Sequence, residues 1–329
     1  MKYNKKDNKK EPFVTLIIYL KIKKIIIIYF LFVIVLFIFS NNIRNIINPS
    51  SIIKKSSKTK VAMCARAKLE NRYIKYFVEY YKKLGYDHMY LYDNNGPNNE
   101  ALADVDAVKE GINNGFITII DYKESSKYHV GNRFYNCYAR YNKLYDWISF
   151  FDIDEYLILL PRNSTIQSFM ESPRYKKCQL VRFNWKVFND NGQLDYVDKP
   201  LMERFRKQTK YKFENRHVKS IVRGGLNYHK FKKTGPHSIY GRIKACTVSG
   251  KKANSAYYRW PPDHKFGWLN HYVTKSVSEF FYKKFKNKVN VNKISRRKKK
   301  SLFNYFFLIN KKTKEKVAIF NKIFNSSFH

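Results

Sequence analysis

The chain lacks several patterns by which chemistry is usually recognised. Its four cysteines, Cys64, Cys137, Cys178 and Cys246, include no C-x-x-C pair, which argues against a structural zinc site. Gly224-Gly225 is too short to cradle a phosphate, so no glycine-rich nucleotide loop is expected. Ser40-Asn41-Asn42 lacks the small-x-small pattern that a cleavable signal peptide needs. Acidic residues are few, 25 Asp and Glu against 65 Lys and Arg, for a net charge of +40. Such a charge favours polyanions: nucleic acid, anionic lipid headgroups or phosphate-bearing substrates. Abundant Lys, Asn, Ile, Tyr and Phe is also what an AT-rich genome encodes, so charge by itself assigns no partner. Disorder is not the default, because 329 residues with 44% hydrophobic and 17% aromatic content can fill a core.

Residues 25–39 form an unbroken apolar run. As a helix it spans roughly 22 Å, somewhat short of a ~30 Å hydrocarbon core, and Lys23 and Lys24 can snorkel at one end. Lysines crowd the upstream side, whereas only Arg44 follows closely. The positive-inside rule then keeps the N-terminus cytosolic and sends the remainder across the membrane as a single-pass type II protein. The expected organisation is a cytosolic basic tail (1–22), a transmembrane signal anchor (23–40), a polar stem (41–60), a folded domain (61–290) and a solvated basic tail (291–329) centred on Arg296-Arg297-Lys298-Lys299-Lys300. In a compartment that permits disulfides the four cysteines allow three pairings, and the sequence does not choose among them. Asn163-Ser164-Thr165 and Asn325-Ser326-Ser327 match the N-glycosylation pattern, usable if luminal and exposed.

Past Lys60 the apolar pattern alternates. A short run at Val61-Ala62-Met63-Cys64 precedes helical spacing through Leu69, Tyr73, Phe77, Tyr80, Tyr81 and Leu84, which Gly85 stops. Met89–Tyr92 reads as a strand ending in the turn Asp93-Asn94-Asn95-Gly96-Pro97. A second helix follows over Ala101, Leu102, Val105, Val108 and Ile112, then a strand at Phe116–Ile120. Tyr138, Tyr141, Leu144 and Tyr145 suggest a third helix, and Trp147–Phe151 the next strand. Strand-like runs recur at Gln179–Phe183 and Val218–Val222. This repetition predicts an α/β fold, a mostly parallel sheet flanked by helices, with ligands beyond the carboxyl ends of the strands.

At two such ends stand Asp93 and the run Phe151-Asp152-Ile153-Asp154-Glu155-Tyr156. Ionised carboxylates packed together need a cation or a cationic partner. Asp152 and Asp154, one residue apart, point to the same side of an extended chain. That is a hard oxygen site suited to Mg²⁺ or Mn²⁺ with a diphosphate.

These blocks resemble the glycosyltransferase family 2-like and family 92 group, in the family's order. They are Cys64-Ala65-Arg66-Ala67-Lys68-Leu69-Glu70-Asn71 through Leu84-Gly85, then Tyr90-Leu91-Tyr92-Asp93-Asn94-Asn95 and the acidic run. Asn184-Trp185-Lys186-Val187-Phe188, Glu203-Arg204-Phe205, His217–Val222 and Asn270-His271-Tyr272-Val273-Thr274-Lys275-Ser276 follow. The opening departs from the usual Lys-Asn-Glu.

The resemblance implies a GT-A, Rossmann-like fold and a metal-dependent transferase. It would move a sugar, galactose or another hexose, from a UDP-sugar to a glycan or glycoprotein acceptor in the Golgi or ER lumen, or a viral equivalent, with inversion. It also implies Asp152, Asp154 and His271 as ligands of Mn²⁺ (or Mg²⁺). Asp93 is expected at the uridine or ribose, Glu155 beside Asp154 and the donor, and Lys219 and Lys275 at the diphosphate. Glu203 is expected to be the general base that an inverting transfer requires, ahead of Asp190, Asp195 and Asp198. No nucleic-acid partner is expected. Two other functions fit parts of the sequence. A haloacid dehalogenase-like phosphohydrolase would use Asp152 as nucleophile, although Glu155-Tyr156 replace the expected Thr or Val and Gly. A non-catalytic membrane-tethered protein would bind polyanions through the basic tail.

Overall fold

The computed structural model describes residues 58–95, 100–121, 130–227, 231–234, 239–241, 243–253, 259, 261–285 and 294–325. The expected anchor and its basic tail lie outside them, as do most of the stem, Gly96-Pro97 and Ser326-Ser327. Among the described residues no helix is long and apolar enough to cross a membrane.

The first half of the chain runs β1 (Val61–Ala67), α1 (Asn71–Lys83), β2 (His88–Asp93), α2 (Asp106–Asn113), β3 (Ile117–Asp121), α3 (Val130–Tyr141), β4 (Trp147–Asp152), β5 (Glu155–Leu159) and α4 (Ile166–Met170). Then come β6 (Leu180–Val187), α5 (Leu201–Arg204), β7 (Val218–Arg223), β8 (Phe231–Thr234), β9 (Ile239–Gly241), β10 (Ala245–Thr247) and β11 (Gly267–His271). Three helices close the described chain: α6 (Val277–Phe285), α7 (Arg296–Ile309) and α8 (Lys314–Phe324).

Strand β1 shows why the sheet is covered on both faces. Its side chains alternate, so Val61, Met63, Ala65 and Ala67 join one apolar cluster while Ala62 and Cys64 join another. Helix α1 packs on the first face through Tyr73, Ile74, Phe77, Val78 and Tyr81. Helix α3 packs on the second through Phe134, Cys137 and Tyr138, and the Cys64–Cys137 disulfide joins it to β1. A second disulfide, Cys178–Cys246, ties the entrance of β6 to β10.

The large sheet has the order β3-β2-β1-β4-β7-β6-β11-β5, with β10 beside β6. The first four strands are parallel, as the alternating pattern predicts. Beyond β4 the sheet remains mostly parallel, since β10 and β11 both run parallel to β6, but it becomes mixed: β7 is antiparallel to both β4 and β6, and β5 is antiparallel to β11. The reason is local. The chain turns at Ile153-Asp154, and β5 leaves β4 to pair with β11 at the far edge. Asp154 therefore lies in a turn, not in the extended strand that the Asp-x-Asp spacing implied.

Gly224 follows β7, where an added Cβ would lie 1.8 Å from the Tyr145 carbonyl oxygen. The Gly-Gly pair thus serves a close backbone approach.

The basic segment after residue 290 also requires correction: α7 and α8 fold against α6 around an aromatic cluster. Phe320 is fully buried and meets Phe281, Phe303 and Phe306. Burying each such side chain contributes about 1.5–3 kcal/mol. Basic residues take part in this packing. Lys299 donates to the Phe324 carbonyl at 2.6 Å, and buried Lys316 pairs with Asp190.

Candidate active site at the sheet rim

Strand direction brings the expected residues to one rim. Asp93 and Asp152 end parallel strands β2 and β4. Antiparallel β7 starts at that rim, which places Lys219 beside the end of β4. Strand β6 ends there, and β11 runs parallel to it, with His271 opposite Val187. Strand β5 begins there, with Glu155 opposite His271.

Four carboxylates and three ammonium groups interlock. Lys219 is 1% exposed; its Nζ lies 2.5 Å from Asp152 Oδ2 and 3.4 Å from Glu155 Oε2. Glu155 Oε2 also accepts the Asp152 backbone N–H at 3.0 Å. Asp154 Oδ2 takes Lys283 Nζ at 2.7 Å and stands 3.6 Å from Lys275 Nζ. Both lysines also meet buried Glu70, at 2.5 Å from Lys283 and 3.5 Å from Lys275. Lys275 occupies the left-handed backbone region (φ 56°), and its ammonium lies 4.6 Å from the centre of the Tyr73 ring.

The electrostatics follow from burial set against these partners. Burial opposes ionisation of Asp152, but Lys219 and Arg66 outweigh it and hold the carboxyl below its ordinary range. Burial likewise opposes ionisation of Asp154, and Lys283 and Lys275 hold it well below. Glu155 goes the other way: burial pushes its carboxyl up to about 8 despite Lys219. Its Oε1 has no hydrogen-bond partner among the described residues. Burial would lower the Lys219 ammonium, yet Asp152 and Glu155 raise it.

His271 is held neutral, since burial lowers its imidazole to about 3. Its Nε2 lies 3.7 Å from Asp154 Oδ1, too far for a hydrogen bond. Its Nδ1 is buried without a partner among the described residues, and the ring packs 4.0 Å from that of Trp185. A neutral imidazole facing a carboxylate oxygen across such a gap is a donor pair that fits Mn²⁺ better than Mg²⁺. Among the described residues no set of three His, Cys, Asp or Glu side chains could hold a metal, so the protein offers a pair and not a closed cage.

The remaining expected residues are placed differently. Asp93 accepts the backbone N–H groups of Asn95 and Leu102 at 2.9 and 2.8 Å, and so shapes the loop after β2. Asn95 and Glu100 help to line a hollow of about 260 Å³, with residues including Leu69, Asn71, Arg72 and Tyr282. The Arg72 guanidinium lies 4.2 Å from the Tyr282 ring centre and 5.0 Å from that of Tyr196.

Glu203 sits on the exposed side of α5, and among the described residues no hydrogen bond or ion pair joins its carboxylate to the rim. Its inward-facing neighbour Arg204 instead forms a buried pair with Glu279 at 2.6 Å, a carboxylate also bound by Tyr73 and Ser276. Asp198 is exposed and pairs with Lys75, while Asp190 is buried against Lys316.

Sequence reasoning missed Glu70 and Lys283 as members of the cluster. Glu70 lay within the opening block. Glu279 and Lys283, four apart on the Phe-rich α6, turn two charges toward one face, a pattern that could have drawn notice.

The sequence profile of glycosyltransferase family 92 matches residues 60–306, well over half of the chain and extending into α7. No curated protein matches it. Among solved structures, S. aureus TarS 1-349 aligns at 9% identity and a TM-score of 0.37, covering 76% of this chain and 79% of that one. The same S. aureus protein in complex with UDP aligns at 11% identity and a TM-score of 0.37, covering 81% and 71%. The apo WbbM bifunctional glycosyltransferase aligns at 10% identity and a TM-score of 0.24; 40% of this chain is covered, and the match spans only 24% of WbbM.

Proposed function

The chain belongs to glycosyltransferase family 92 and is a glycosyltransferase; from that premise we propose that it moves a hexose, galactose being the first to try, from a UDP-sugar to a glycan or glycoprotein acceptor with inversion. The observation that carries this reading is the convergence of Asp152, Asp154, Glu155, His271 and three lysines at one sheet rim beside the hollow behind Asp93. Beyond the carboxyl ends of parallel strands is where α/β sheets bind nucleotides.

In this reading the nucleoside enters the hollow after β1 and β2, where Asn71, Asn95 and Glu100 supply polar edges. Asp93 fixes that wall through Asn95. Asp154 and His271 would hold a divalent cation, which when bound supplies Lewis-acid stabilisation of charge on the departing diphosphate. Lys283 is 35% exposed, so its ammonium can turn toward the diphosphate, whereas Lys275, only 3% exposed, stays between Glu70 and Asp154. Lys219 stays buried and keeps Asp152 ionised. We place the domain in an oxidising lumen behind the anchor at 23–40, a reading that the two disulfides support.

UDP release from a panel of UDP-sugars, each with and without Mn²⁺, tests the proposal. Turnover of at least one UDP-hexose, stimulated by Mn²⁺, is expected. Exclusive use of another nucleotide class would refute the donor assignment.

A further inference from the structure

Asn163-Ser164-Thr165 lies in the loop between β5 and α4, away from the machinery described above. Three observations bear on it. Asn163 and Thr165 are both exposed, and the Asn163 amide makes no hydrogen bond among the described residues. The Ser164 N–H donates to the Pro161 carbonyl at 3.0 Å, a tight turn that carries Asn163 on its outside. Asn163 also borders an open hollow of about 400 Å³ lined by Tyr80, Lys83, Arg162 and Met202 among others, which leaves room beside the amide for a bulky substituent.

The compartment is indicated independently. Four cysteines form two disulfides that close separations of 73 and 68 residues, and free cysteines are absent among the described residues. Long-range disulfides in a domain of this size mark maturation in an oxidising lumen, where N-glycosylation takes place. Asn325, the other match to the pattern, gives no comparable support. Its backbone caps α8 in the left-handed region, and its partner serines lie outside the described residues.

We infer that Asn163 carries an N-linked glycan. The step joins the Asn163 side-chain nitrogen to C1 of an oligosaccharide carried on a polyprenyl diphosphate. The bond from C1 to the diphosphate oxygen breaks, the amide gives up one proton, and the polyprenyl diphosphate leaves. The Thr165 hydroxyl is the recognition group. It doubles as the N-cap of α4, accepting the Ser168 N–H at 3.3 Å, so Thr165→Ser preserves both roles.

The full chain, produced in a eukaryotic secretory pathway and treated with peptide:N-glycosidase F, reads the inference directly. The mobility shift on treatment should vanish in Asn163→Gln and Thr165→Ala and persist in Thr165→Ser and Asn325→Gln. Released wild-type protein should show Asn163 converted to Asp by peptide mass spectrometry, a readout independent of how any variant folds. An unmodified Asn163 peptide, or a shift that survives Asn163→Gln, overturns the inference. Either result leaves the transferase reading untouched, because Asn163 has no part in the rim.

Discussion

Lys219 is the residue on which the acidic rim is balanced, and its side chain is almost wholly enclosed. Replacing it with methionine would leave half-buried Asp152 and buried Glu155 beside each other without their shared cation. Breaking a buried ion pair on one side typically destabilises by about 3–5 kcal/mol. Lys219→Met should therefore lower the denaturant midpoint by a corresponding amount, and a change under about 1 kcal/mol would show that the pair is dispensable.

Glu155 supplies a pH signature. Its folded carboxyl titrates near 8, above the ordinary 4.5, so the folded state keeps a proton that the unfolded state loses. This contribution is complete below about 4.5 and is lost as pH rises through about 8. Glu155→Gln cannot ionise and should show a smaller fall in stability across that window, by on the order of 1–3 kcal/mol. Parallel melting curves at acidic and alkaline pH decide the point.

At this scale the sequence was partly legible. Asp152 and Asp154 could be named because acidic residues near strand ends carry a chemical reason, whereas His271 was named only through the family resemblance. Lys283 and Glu70 could not, since 129 residues separate Lys283 from the carboxylate it grips. Glu203 was favoured because it falls in a block that resembles the family, yet the one-turn helix that carries it turns Arg204 inward and leaves Glu203 outside.

Among the elements, β1 to β4 were readable as apolar runs because both faces of a parallel sheet are covered. What no local pattern announced was the departure of β5 from β4, since its partner β11 lies more than a hundred residues later. The C-terminal helices were misread for another reason. Basic residues dominate the composition of 291–329, but Leu302, Phe303, Phe306 and Ile309 form a helical stripe beneath them. Phe320→Ala should cost about 3–5 kcal/mol, seen as a lowered melting temperature. Loss of no more than about 0.5 kcal/mol, the level of a surface substitution, would mean that α7 and α8 are not part of the folded unit.

For the whole molecule, a sequence of net charge +40 keeps a small acidic cluster at the sheet rim. A positive field of this kind would favour approach of the proposed phosphate-bearing donor, while Asp152 and Asp154 stay ionised because lysines of the same chain face them. The family follows from the profile match, whereas the proposed chemistry rests on how Asp154 and His271 stand toward each other.

The most direct measurement compares UDP release from the preferred UDP-hexose by wild type, Asp154→Asn and Asp198→Asn, all as full-length folded protein. Asp154→Asn should fall by about 100-fold or more, the usual scale for removing a group that stabilises developing charge, while the exposed Asp198 variant stays near wild type. Wild-type turnover by Asp154→Asn would contradict the account.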